Sequence, residues 1–162
     1  MNPKIITIGV YGFTEEHFFG ALRDAGVDTF VDIRRRRGVR GSRYPFANSA
    51  CLQKQLANMG IRYLHMLDLA PTHETRSLQK QADKLQRTAT RQRQQLSQAF
   101  VRAYEQQALS DFDANAFLDR LGPDARVVAL FCVEGAPEAC HRSLVAARLH
   151  RDLGLEVEHI TP

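Results

Sequence analysis

The stretch Val127-Val-Ala-Leu-Phe-Cys-Val-Glu-Gly-Ala-Pro-Glu-Ala-Cys-His-Arg142 joins an apolar run to a segment with helical spacing. The run Val127–Phe131 is short and continuously apolar, as a parallel strand covered on both faces is. From about Pro137 to Leu153 the residues Leu144, Val145, Leu149 and Leu153 recur at the helical period, and Gly154 supplies a stop. A buried strand that runs through a short loop into a helix is half of a βαβ unit, and such units build parallel sheets. The loop itself is dense in reactive groups: Cys132, Glu134, Cys140, His141 and Arg142 all fall on it.

The same alternation recurs outward in both directions. Lys4-Ile-Ile-Thr-Ile-Gly9 reads as a first strand, and Thr14 with Glu15 and Glu16 suits a helix start. Phe18, Phe19, Leu22 and Ala25 keep helical spacing up to Gly26, and Thr29–Ile33 forms a second strand. A helix over Leu52, Leu56 and Met59, capped by Asn48 or Ser49, leads to a third strand at Ile61–Met66. Residues 72–110 lack Gly and Pro and carry seven basic against three acidic residues. They read as one long amphipathic helix, or two shorter ones with a break around Thr88–Gln95, forming a helical insertion. A helix over Phe112–Leu121 and a last strand, Leu155–Ile160, complete the chain. The expected fold is a single α/β domain over residues 1–162. It has three layers, with a mostly parallel sheet of about five strands and helices on both faces.

Composition bounds the class. The 44% hydrophobic and 25% charged content is that of a globular protein. No apolar run approaches the ~20 residues that span a bilayer, so no membrane partner is expected. Met1-Asn-Pro-Lys4 shows no secretory pattern, which makes a cytoplasmic location the expectation. Three cysteines, Cys51, Cys132 and Cys140, are expected as reduced thiols. The net charge of +4 is local: residues 34–43 hold six arginines, and the rest of the chain has 16 basic and 18 acidic residues. Such concentration points to an anionic partner at one place.

Two groups of residues therefore stand as candidates. Cys132, Glu134, Cys140 and His141 are the catalytic candidates: two thiols, a carboxylate and an imidazole at a strand-to-helix turn. Asp32, Arg34, Arg37, Tyr44 and Arg142 are the ligand-binding candidates, with guanidinium groups for phosphate and a ring for a base. Ligands in open α/β sheets bind at the carboxyl ends of strands, where Asp32 and the arginine run begin. Each residue also has an ordinary structural use, as a core cysteine, a helix cap or a solvated arginine. The phosphatase spacing, an arginine six residues after the cysteine, is absent. Cys132, Cys140 and His141 fit no common zinc spacing, and neighbouring ligands at 140 and 141 are awkward. The sequence alone assigns no metal and no cofactor.

Cys132-x-Glu134-x-x-Pro137-x-x-Cys140-His141-Arg142 resembles the hallmark of the family called domain of unknown function 488. Thr7-Ile-Gly9, Val31-Asp32-x-Arg34, Gly60-Ile-Arg-Tyr63 and Val157-Glu-His159-Ile160 agree with it in order. The resemblance implies a compact three-layer α/β domain of bacterial or archaeal type with no established activity. Two positions depart from the commoner pattern: Val10-Tyr11 stands where His-Ser is frequent, and Leu69-Ala70-Pro71 where Leu-Gly-Gly is.

The leading expectation is a pocket for a phosphate-bearing ligand, a nucleotide or nucleic acid, with chemistry at the cysteine turn. Arg34, Arg37 and Arg142 would hold phosphate. The alternative is a non-catalytic nucleic-acid-binding module that uses the arginine loop and basic helix. A third reading is thiol redox or sulfur transfer. Whether the chain acts as a monomer or a homodimer is left open by the sequence.

Overall fold

A computed structural model describes residues 2–39, 41–89 and 92–162; Arg40 of the arginine run lies outside them. Five strands, β1 (Lys4–Ile8), β2 (Thr29–Asp32), β3 (Arg62–His65), β4 (Val127–Phe131) and β5 (Val157–Ile160), form one sheet in the order β3-β2-β4-β1-β5. Every pairing is parallel. Helices α1 (Glu15–Asp24) and α2 (Ser49–Asn58) cover one face. On the other lie α4 (Gln98–Tyr104), α5 (Ala114–Leu121) and α6 (Arg142–Leu153). The expected three-layer α/β architecture is thus present, with its sheet fully parallel.

Alternation along the strands explains the two cores. Ile6, Ile8, Phe30, Ala129 and Phe131 face α1 and α2; Ile5, Val31, Val128 and Leu130 face the other layer. Successive strand side chains point to opposite faces, so continuously apolar strands feed both cores at once. Phe18 stands at the centre of the first core, with ring centroids 5.6 Å from Phe131 and 6.4 Å from Phe30. Full burial of one such side chain contributes roughly 1.5–3 kcal/mol.

Local caps fall largely where the residue types suggest. The Thr14 hydroxyl accepts from the His17 N–H, and Gly154 ends α6 at φ 67°. Asn48 precedes α2 but makes no side-chain cap; its Oδ1 accepts from the Val39 N–H and tethers the arginine loop. Of the two readings of the basic stretch, the second holds: two shorter helices with a break that covers Thr88–Gln95. Helix α3 (His73–Leu85) is followed by a strap whose described residues up to Ser97 form no α-helix, and then by the short α4, which closes in a wide turn at Glu105–Leu109. Helix α6 begins at Arg142 rather than Pro137, because Pro137–Ala139 forms a separate single turn. No helix of the described residues is long and apolar enough to cross a membrane.

The strand order decides the location of the site. The chain leaves β1 for β2 and β3, then returns to insert β4 between β1 and β2. Asp32 at the end of β2 therefore pairs with Phe131 at the end of β4. A crevice at the carboxyl ends of the strands follows from this reversal of direction.

Candidate active site

Cys132 follows β4 directly, and Cys140 and His141 sit where the turn enters α6. Cys140 has extended backbone (φ −137°, ψ 146°) and His141 is already helical (φ −63°, ψ −16°). This bend directs two adjacent side chains to one side. Cys132 Sγ lies 3.7 Å and Cys140 Sγ 3.8 Å from His141 Nδ1. The other ring nitrogen, Nε2, is 2.8 Å from the Ile33 carbonyl oxygen. A carbonyl only accepts, so Nε2 carries a proton and donates, and in the neutral ring Nδ1 is the lone-pair nitrogen facing both sulfurs. Tyr104 packs on the ring at 5.2 Å, with its own hydroxyl donating to the Leu69 carbonyl at 2.6 Å.

Glu134 completes the cluster. Its Oε2 accepts from Cys132 Sγ at 3.3 Å, and its Oε1 accepts from Arg93 Nη2 at 2.7 Å. Burial, with the Cys140 sulfur next in weight, pushes the Glu134 carboxyl up to about 7, against the opposing pull of Arg93. Burial and the hydrogen bond with Cys140 push the Cys132 thiol well up. Cys140 is held well below the ordinary thiol range: burial opposes this, but the Cys132 hydrogen bond, the His141 ring and the Arg142 charge outweigh it. His141 is raised in turn; burial works against its charged form, and the Cys140 sulfur overcomes that.

A cleft of about 720 Å³ opens above this group. Cys132, Glu134, Cys140 and His141 line it together. Its walls bring Arg34, Arg35, Arg36, Arg76, Lys80 and Arg93, and Glu134 is the one acid among its described lining residues. Tyr11 is also at the wall.

The other expected ligand-binding residues have internal partners. Arg34 is buried and donates from Nε and Nη2 to the two oxygens of Asp32, at 2.9 and 2.8 Å, and from Nη1 to the Ala47 carbonyl. Asp32 also accepts from the Tyr63 hydroxyl at 2.6 Å, and Arg37, itself raised by its hydrogen bond with Tyr63, lies against that hydroxyl. Tyr44 is buried, and its hydroxyl accepts from the Gly12 N–H at 3.1 Å. Arg142 is fully buried beneath the turn; its two Nη groups donate to the carbonyls of Glu134, at 2.5 Å, and Gly135, at 3.1 Å. Asp32, Arg37, Tyr44 and Arg142 are not among the residues lining the cleft. Arg142 shapes the loop from below, and Gly9 leaves room for it: a Cβ there would meet the Glu134 carbonyl oxygen at 1.8 Å.

The model of the family described as domain of unknown function DUF488 matches residues 14–149. The chain belongs to that family. Comparison with curated proteins and with solved structures found no match. The cysteine string and the Val31-Asp32-x-Arg34 string meet at the adjacent ends of β4 and β2.

One residue of the site had no local signal in the sequence. Arg93 lies in the strap, where apolar residues thin out, yet it binds Glu134, Asp83 (2.7 Å) and the Ala139 carbonyl (3.2 Å) at once. The strap is fixed further by the Leu96 N–H donating to the Glu138 carbonyl and the Ser97 N–H donating to Gln79 Oε1. Gln79 donates in turn to Asp83 at 2.8 Å. A hint existed on α3: Gln79 and Asp83 stand four residues apart on its inward face, where buried polar groups need partners.

Proposed function

We propose that this protein is an enzyme-type pocket for a phosphate-bearing ligand, a nucleotide or a nucleic acid. Arg36, Arg76 and Lys80 meet its negative charge, and the Cys132–Glu134–Cys140–His141 group acts on it. The observation that carries the reading is the cleft itself, which has cationic walls and both thiols, the imidazole and the carboxylate at its floor. Focused positive potential over a concave site raises the local concentration of anions. Within the group, Glu134 and His141 are the acid and base candidates, and a cysteine is the nucleophile candidate. Phosphate recognition falls on the wall residues because Arg34 and Arg142 direct their donors to Asp32 and to backbone carbonyls.

Fluorescence anisotropy with labelled mononucleotides and single- and double-stranded DNA and RNA, across a salt series, tests the reading. Arg36→Ala and Lys80→Ala are expected to weaken binding and to flatten its salt dependence. The slope of log K against log salt should fall by about 0.9 for each duplex phosphate that the variant no longer neutralises. Cys140→Ser is expected to bind normally and to lose turnover of any substrate so found. Absence of binding to all of these ligands near physiological salt would sink the proposal. Full turnover in Cys140→Ser and Glu134→Gln would remove the catalytic assignment of these residues, and binding without turnover by the wild type would leave only a nucleic-acid-binding module.

A further inference from the structure

The floor of the cleft has the donor set and dimensions of a metal centre. Cys132 Sγ, Cys140 Sγ and His141 Nδ1 all lie within 4.8 Å of one another, the one grouping of its kind among the described residues. Zinc–sulfur bonds of about 2.3 Å and zinc–nitrogen bonds of about 2.0–2.1 Å on a tetrahedron place neighbouring donors roughly 3.5–3.8 Å apart. The two sulfur–nitrogen separations here are 3.7 and 3.8 Å. Adjacent ligands at 140 and 141, awkward by spacing alone, are brought to one side by the change from extended to helical backbone between them.

The surroundings agree with the first layer. A metal-binding histidine ordinarily donates its second ring N–H to a carbonyl or carboxylate, which fixes the tautomer and the ring's direction. His141 Nε2 does this to Ile33 O at 2.8 Å. Two buried thiolates would be costly alone, but with a divalent ion and a neutral imidazole they sum to zero charge. The carboxylate of Glu134 is paired with Arg93, a cation that it shares with Asp83. We propose that Cys132, Cys140 and His141 bind one thiophilic divalent cation, zinc being the class, with its fourth position open to the cleft. Three protein ligands with an open position mark a catalytic rather than a structural zinc site. The inference extends the reading of the cleft as a reactive pocket, but it makes ligands of the thiols and of His141, leaves Glu134 as the acid/base candidate, and needs no phosphate ligand.

Cobalt(II) is the probe, because its spectrum reports both sulfur ligation and coordination number. Reduced protein carrying Cys51→Ser, which removes the exposed thiol, is titrated with cobalt in a phosphate-free buffer containing a non-thiol reductant. One equivalent is expected to give a thiolate-to-cobalt charge-transfer band and the strong visible absorption of four-coordinate cobalt, both displaced by zinc. Cys132→Ser and Cys140→Ser are each expected to weaken binding by more than the ~10–100-fold that loss of an outer-shell partner costs. Circular dichroism confirms that the variants fold, and a zinc-dependent rise in the melting temperature of the parent checks the site without either substitution. A weak six-coordinate spectrum, a charge-transfer band unchanged in both serine variants, or no rise with zinc would overturn the proposal. Anion binding is measured separately, so failure of either reading leaves the other standing.

Discussion

Arg93 and Glu134 are 41 residues apart in the chain and 2.7 Å apart in space. The same guanidinium holds Asp83 at 2.7 Å, and all three side chains are nearly withdrawn from solvent. One arginine thus fastens the strap to helix α3 and to the cysteine turn. Arg93→Ala would leave two buried carboxylates without their counter-charge. Loss of one partner of a buried pair typically costs about 3–5 kcal/mol, and a loss of that size is expected in urea denaturation. Arg120→Ala, which removes the exposed pair with Asp68, is expected to cost no more than about 1 kcal/mol. Equal losses in the two variants would show that the strap is not fastened this way.

Gly9 and Gly60 are required for different reasons, and their alanine variants separate them. At Gly60 the backbone has φ 72° and a Cβ would meet nothing within 4 Å. Gly60→Ala therefore costs only the left-handed penalty of about 1–2 kcal/mol. At Gly9 a Cβ would strike the Glu134 carbonyl oxygen and approach Arg142 Nη1 at 2.9 Å. Relief requires the whole turn to shift, so Gly9→Ala is expected to reach or exceed the upper end of the ~1–3 kcal/mol typical of overpacking. Thermal unfolding of both variants checks the order, which reverses if the turn yields freely.

His159 gives the protein a pH dependence away from the cleft. Its Nδ1 lies 2.6 Å from Thr7 Oγ1 across the β1–β5 pair. Burial, and secondarily the Arg142 charge, hold its pKa below the ordinary value for histidine. A depressed histidine leaves stability intact above about pH 6.5, where the unfolded chain is also neutral. As pH falls below that, the unfolded chain takes the proton first, and stability is lost progressively down through the folded pKa. Proton NMR is expected to show the His159 midpoint below those of freely exposed histidines. The stability difference between wild type and His159→Gln should change with pH over the same window; a flat difference would contradict it.

How far the sequence reaches is clearest residue by residue. The cysteine turn, its strand and its helix are legible because they lie within one short stretch. Strand period, helical spacing and glycine stops are local properties, and they reveal all five strands and the helices of both layers. The arginine run illustrates the limit. Its six charges read as one basic patch, but Arg34, although at the cleft wall, has its donors held by Asp32 and lies 4.7 Å from the centroid of the Phe131 ring, while the neighbouring Arg36 lines the cleft too. Nothing local distinguishes neighbouring arginines, because the difference is made by which strand lies alongside.

Hydrophobic period and turn chemistry are written along the chain, and they suffice to make this a parallel α/β protein with a reactive turn after β4. Folding of the whole chain was needed to bring β4 between β1 and β2, which sets Asp32 beside Phe131 and Ile33 against His141. It was needed as well to carry Arg93 to Glu134 from a strap without apolar pattern. These are meetings of segments that are distant in the chain. They depend on the packing of whole layers around the two cores, which no short window of sequence contains.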